Sequence, residues 1–168
     1  MRRRTFLAAG VAGSALLAVA GWWRLSRHTR PLTLNADADA IVRAIVPAML
    51  AGALPVESNA RARAIDETVT NIARAIAGLP GASRAELAQL FSLLTLAPAR
   101  RAFAGVAFAW NEADVAEVGA FLDRWRDSGW ALKRSAYNAL HQLILAAWYG
   151  NPRAWTTIGY PGPPKVNA

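Results

Sequence analysis

Few residues of this 168-residue chain are suited to chemistry: His141, the carboxylates Asp123 and Asp127, and a set of seven tryptophans. His141 sits one helical turn after Tyr137 and two turns before Trp148, with Gln142 and Tyr149 nearby. An imidazole so placed could touch a cofactor edge or a substrate. A single histidine on a mostly apolar helix is more often a core-edge residue hydrogen-bonded to a neighbour. Asp123 and Asp127 lie four apart and would face the same way, the geometry of an acid/base dyad. Arg124 and Arg126 are interleaved with them, which predicts an exposed ion-pair face instead. Trp110, Trp125, Trp130 and Trp148 are expected to be large core fillers of a small helical body.

The composition narrows the chemistry further. Zero cysteines remove disulfides, thiolate nucleophiles, Cys-ligated zinc, iron–sulfur clusters and C-x-x-C-H haem attachment. Of two histidines, His28 lies at the edge of a targeting segment, leaving His141 for the body. A Ser-His-Asp triad is possible on count, but a two-histidine metal site is not. No G-x-S-x-G, H-E-x-x-H, P-loop or G-x-G-x-x-G occurs, and neither Gly10/Gly13 nor Gly159/Gly162 follows a strand pattern. The expectation is a protein that is not an enzyme by itself, with no catalytic residue, no bound cofactor and no metal.

The net charge of +8 is unevenly distributed. Residues 1–30 contain Arg2, Arg3, Arg4, Arg24, Arg27 and Arg30 and no acid; the remainder holds thirteen basic and eleven acidic side chains. Body arginines alternate with acids, as in Arg61–Glu67 and Asp123–Asp127, which is a solvated face and not a nucleic-acid stripe. No nucleic-acid partner is expected.

The N-terminus reads Met-Arg-Arg-Arg-Thr-Phe-Leu, then an Ala- and Gly-rich apolar run to Ala18-Val19-Ala20. A basic start, an apolar stretch and a small-residue site are the parts of an export signal. Arg3-Arg4-Thr5-Phe6-Leu7 matches the paired-arginine core of twin-arginine leaders. Residues 6–23 also form an 18-residue stretch just long enough to span a bilayer, with Trp22-Trp23 as an interfacial belt. Residues 1–23 therefore read as a twin-arginine signal or an N-terminal anchor. Residues 24–36, aperiodic and containing Pro31, read as a linker. The location expected is the bacterial periplasm, free or anchored to the inner membrane by residues 6–23.

Residues 37–150 have helical punctuation and no period-two alternation, so the fold class is all-α, a bundle of four to five helices. The first helix is expected from a cap at Asp37 or Asp39 to Leu50, with Pro47 kinking or ending it early. The second spans Ser58 to Ala77 with Ile65, Val69, Ile72 and Ile76 as its stripe, ended by Gly78 as a C′ glycine. The third starts at a Ser83–Glu86 capping box, buries Leu87, Leu90, Phe91 and Leu94, and stops at Pro98. A short helical piece is expected over residues 100–103. The fourth is capped by Asn111 and buries Val115, Val118, Leu122 and Trp125; it closes at Ser128-Gly129. The fifth runs from Leu132 to Tyr149, burying Ala136, Leu140, Leu143, Ile144, Ala147 and Trp148.

Residues 151–168 form a tail rich in aromatic, proline and glycine residues. Asn151 can cap a short turn with Pro152 at its first position, ended by Gly159. Residues 160–164 then favour an extended polyproline segment. Trp155, Ile158 and Tyr160 are left exposed unless they pack back on the bundle as a clasp. Their other use is to anchor a partner protein, since rigid aromatics lose little entropy on binding.

A twin-arginine leader, a small cysteine-free helical body and the ending Trp148-Tyr149-Gly150-Asn151-Pro152…Trp155…Ile158-Gly159-Tyr160-Pro161-Gly162-Pro163 together resemble the small subunits grouped with gluconate 2-dehydrogenase subunit 3. The likeness covers the leader and, loosely, most of the body; its distinctive part is the final twenty or so residues. It implies a partner, a flavin-dependent large subunit of the glucose–methanol–choline type that holds the FAD and the chemistry. A cytochrome c subunit often takes the electrons in such systems. The small subunit would help the leaderless flavoprotein mature and carry it across the membrane. On this resemblance Arg3, Arg4, Phe6 and Leu7 would meet the twin-arginine translocon. Trp148, Tyr149, Trp155, Ile158 and Tyr160 would form the partner-binding surface.

Overall fold

The computed structural model of the protein describes residues 35–162. Every regular element among them is helical. In chain order these are α1 (Ala36–Met49), α2 (Ser58–Gly78), α3 (Gly81–Thr95), the single turn α4 (Ala97–Ala99), a π-helical turn over Arg100–Ala104, α5 (Val115–Arg126), α6 (Ala131–Tyr149) and α7 (Pro152–Thr157). The leader with Arg3, Arg4, Phe6 and Leu7, most of the expected linker, and residues 163–168 lie outside the described residues. Among the described residues no helix is long and apolar enough to cross a membrane.

Helix α1 is the centre of the bundle, packed against α2, α3 and α5 with a smaller contact to α6; α2 and α5 in turn pack on α6. The sequence explains the position. Ala38, Ile41, Val42, Ile45 and Val46 recur at spacings of three and four and are all buried, giving a stripe wide enough to serve several neighbours. Each of the isoleucine and valine side chains contributes roughly 1.5–3 kcal/mol on full burial. The helix cap is Asn35, whose side-chain oxygen accepts from the Ala38 N–H at 2.9 Å, and not Asp37 or Asp39. Those two acids sit in the first turn, where they favour the positive end of the helix dipole. Pro47 neither ends the helix early nor stops its last turn, because α1 continues to Met49. Asp39 and Asp66 both bind Arg43 across the α1–α2 face and raise its pKa, the Asp66 hydrogen bond most.

The other boundaries depart from expectation for local reasons. Glu57 caps α2 by accepting from the Asn59 and Ala60 N–H groups at 2.7 and 2.6 Å. Gly78 is the last residue of α2 and not a left-handed C′ residue; Leu79 leaves in an extended conformation. Helix α3 starts two residues before the expected Ser83 cap. Pro80 is its N-cap, and the Pro80 carbonyl accepts from the Arg84 N–H at 3.0 Å. Asp114, not Asn111, occupies the N-cap position of α5. Val115 is consequently at the exposed start of that helix, while Val118, Phe121, Leu122 and Trp125 are buried.

Three aromatic rings fill the α5 side of the core. Phe121 meets Trp110 and Trp125 edge-on, at centroid distances of 5.9 and 4.8 Å. Both indoles are satisfied: Trp110 Nε1 donates to the Leu94 carbonyl and Trp125 Nε1 to the Phe103 carbonyl, each at 2.9 Å. Trp148 is also buried. Trp130 is not the core filler expected, being 64 % exposed at the N-cap of α6 with Lys133 over its ring.

Gly105 closes the π turn in the left-handed region, with φ of 68°. A Cβ there would lie 2.7 Å from Arg124 Nη2, the same atom that donates to the Ala104 carbonyl at 2.8 Å. Gly105→Ala should therefore destabilise the fold by at least about 1–2 kcal/mol, the cost of the left-handed backbone alone. Chemical denaturation reads this directly, and Gly119→Ala is the comparison, since Gly119 has open space around it in a regular helix.

Candidate partner-docking surface

The C-terminal block folds into a hook that begins where α6 ends. The Gly150 and Asn151 N–H groups donate back to the carbonyls of Ala146 and Trp148. Asn151 Oδ1 accepts from the Arg153 N–H at 3.1 Å and so caps α7, with Pro152 at the first helical position. Glu67 of α2 then ties the hook to the bundle. Its two carboxylate oxygens take Asn151 Nδ2 at 3.2 Å and Arg153 Nη1 at 3.1 Å. Ala154 is buried and Trp155 packs partly against the core.

Beyond α7 the chain reverses. Gly159 is left-handed with φ of 68°, and the Tyr160 N–H reaches the Trp155 carbonyl at 2.9 Å. Trp155 Nε1 donates to the Tyr149 carbonyl at 2.7 Å, and the Tyr160 ring meets Trp155 edge-on at 5.4 Å. Gly162 has φ of 100°, and a Cβ there would lie 3.1 Å from the Trp155 ring. The chain therefore turns over Trp155 at this point, where an extended polyproline path was expected.

The five residues expected to form a contact surface thus divide. Trp148 is 7 % exposed and belongs to the core, and Trp155 is half-buried as the post of the hook. Tyr149, Ile158 and Tyr160 remain exposed, at 39, 56 and 45 %. The inner residues fix the hook to the bundle as a clasp, and the outer ones face solvent. Beside it, α2 and α6 leave an open groove of about 280 Å³ lined by Asn71, Arg74, Ala75, Ala146, Ala147 and Gly150. Asn71 Nδ2 donates to the Ala147 carbonyl at 3.3 Å, and Arg74 Nη1 to Asn71 Oδ1 at 2.7 Å. This groove and the Glu67 clamp had no signature in the sequence, because they arise from residues more than seventy positions apart.

The residues considered for chemistry are otherwise engaged. His141 stacks on Tyr137 with centroids 5.5 Å apart, the core-edge arrangement with a ring as its neighbour. Asp123 and Asp127 both bind Arg126, at 2.9 and 3.0 Å. The Arg126 hydrogen bond holds the Asp127 carboxyl below its ordinary value. That carboxyl is ionised above its ordinary range and loses the interaction only as pH falls through the depressed value, so it is no proton donor near neutrality. Among the described residues no group of three or more His, Asp or Glu side chains is placed to hold a metal ion. Comparison with protein-family models, with curated proteins and with solved structures finds no match to this chain.

Proposed function

We propose that this chain is a non-catalytic small subunit that binds a flavin-dependent sugar or alcohol dehydrogenase, assists its maturation and carries it into the bacterial periplasm. The FAD belongs to the partner, and a cytochrome c subunit is the electron acceptor of the assembly. The observation that carries the reading is the pairing of Arg3-Arg4 with an ordered aromatic hook on one small chain. Twin-arginine export moves folded cargo, so one leader can serve a bound partner that acquired its flavin in the cytoplasm. The hook supports the binding half of the role. Tyr149, Ile158 and Tyr160 are exposed on a segment already fixed by Glu67 and by the Trp155 indole, and side chains so pre-ordered lose little freedom on docking.

The experiment is co-expression of the full chain and the dehydrogenase with Ile158→Ser and Tyr160→Ser together. Loss of a central aromatic or aliphatic anchor costs about 2 kcal/mol or more at a protein interface. The double variant should therefore recover at least roughly tenfold less flavoprotein at limiting concentration. Its helical circular dichroism and melting temperature should stay near those of the parent, because both side chains are exposed. Undiminished recovery would remove the hook from the interface.

A further inference from the structure

Arg100 is buried by the fold and left without a partner. It is 9 % exposed, its Nε has no hydrogen-bond partner, and among the described residues no carboxylate forms an ion pair with it. It opens the π turn, and its carbonyl accepts from the Gly105 N–H and, at 3.4 Å, from Val106. Such wide turns recur at functional sites. The neighbouring charged groups already have work. Arg101 Nε donates to the Ala107 carbonyl at 3.3 Å, Arg124 Nη2 to the Ala104 carbonyl at 2.8 Å, and Glu117 Oε1 accepts from the Ala107 N–H at 2.7 Å. Two arginines and a glutamate thus brace the turn, while the third guanidinium braces nothing.

The Arg100 Nε–H is the one buried side-chain polar group left unsatisfied among the described residues, and such a donor costs free energy that an acceptor binding the guanidinium can offset. A guanidinium is a planar fork suited to a carboxylate. Leu96, one turn before Arg100, and Phe103, most of a turn after it, are 42 and 37 % exposed; Phe108 in the following loop is 59 % exposed. The segment 96–117 carries Arg100 and Arg101 against Glu112, Asp114 and Glu117. That balance lacks the basic cluster that draws a protein to an anionic bilayer, whereas a single carboxylate needs only one guanidinium. We propose that Arg100 is the receptor for an acidic side chain of a partner protein, with apolar residues beside that acid resting on Leu96 and Phe103. This adds a second contact to the partner-binding role and relies on that reading only for the partner's identity.

The test is nitrogen NMR of the arginine Nε–H groups of the full chain, with the tripeptide acetyl-Leu-Glu-Phe-amide as probe. The Arg100 signal is assigned by its loss in Arg100→Met. The expected result is a saturable shift of that signal at millimolar peptide, about tenfold or more weaker with glutamine in place of glutamate. Arg100→Met should melt at or above the parent's temperature, and Arg100→Lys should bind the peptide more weakly than the parent. Equal shifts with both peptides, no shift at all, or a lower melting temperature for Arg100→Met would overturn the assignment. So would phosphatidylglycerol vesicles moving the signal where the peptide does not. Failure here leaves co-purification of a dehydrogenase untouched, and failure of co-purification leaves a positive peptide result standing.

Discussion

Phe121→Ala is expected to cost about 3–5 kcal/mol, enough to unfold much of the chain under mild conditions. Phe121 is fully buried and is the ring on which Trp110 and Trp125 both rest. Truncation removes its own burial and leaves a cavity between two indoles that cannot collapse freely. Each indole is fixed by a hydrogen bond to a carbonyl on a different segment, Leu94 in α3 and Phe103 in the π turn. Edge-to-face pairs add about 0.5–1.5 kcal/mol beyond area, so Phe121→Leu should recover most, but not all, of the loss. Urea unfolding followed by tryptophan fluorescence measures both variants. A cost for Phe121→Ala below that of an exposed-site variant such as Leu132→Ala would contradict the packing, since Leu132 is 74 % exposed.

The second large effect is on export. Replacing Arg3 and Arg4 by lysine keeps the charge and the positive-inside signal but removes the planar guanidinium pair, a change that is not conservative where forked recognition matters. With the proposed role, periplasmic dehydrogenase activity falls by about tenfold or more and active flavoprotein accumulates in the cytoplasm. Periplasmic activity equal to that of the parent would show that the arginines act only as anchoring charges. The substitution leaves every residue of helices α1 to α7 unchanged, so the variant's body should melt as the parent does.

How far the sequence foretold this structure depended on the range of the forces involved. The all-helical class and the second helix were legible, because Val69, Ile72 and Ile76 form a stripe that only one period explains. Ile65, at the same spacing, is only half-buried, since Ala64 and Thr68 take the core side of the helix at that turn. Caps were less legible. Asn35 and Asp114 each stand near a residue of comparable capping merit, and Pro80 has no capping side chain at all, so local preference did not decide these helix starts. The exposure of Trp130 follows from its place at the start of α6, just outside the packed length of that helix. Trp148 and Tyr149 are neighbouring aromatics of α6, yet one is inside and one outside, because successive residues of a helix point about 100° apart and only Trp148 continues the buried stripe of Leu140, Ile144 and Ala147. The isolation of Arg100 had no local signal, since a missing partner is a property of the assembled turn.

The most direct measurement is the visible spectrum of whatever co-purifies with the C-terminally tagged full chain from its native host. The account predicts a yellow eluate in which a large leaderless protein carries oxidised flavin and accompanies this chain through size exclusion. A colourless eluate containing this chain alone would contradict it, and would leave an N-terminally anchored helical binding module with its aromatic hook serving only as a clasp.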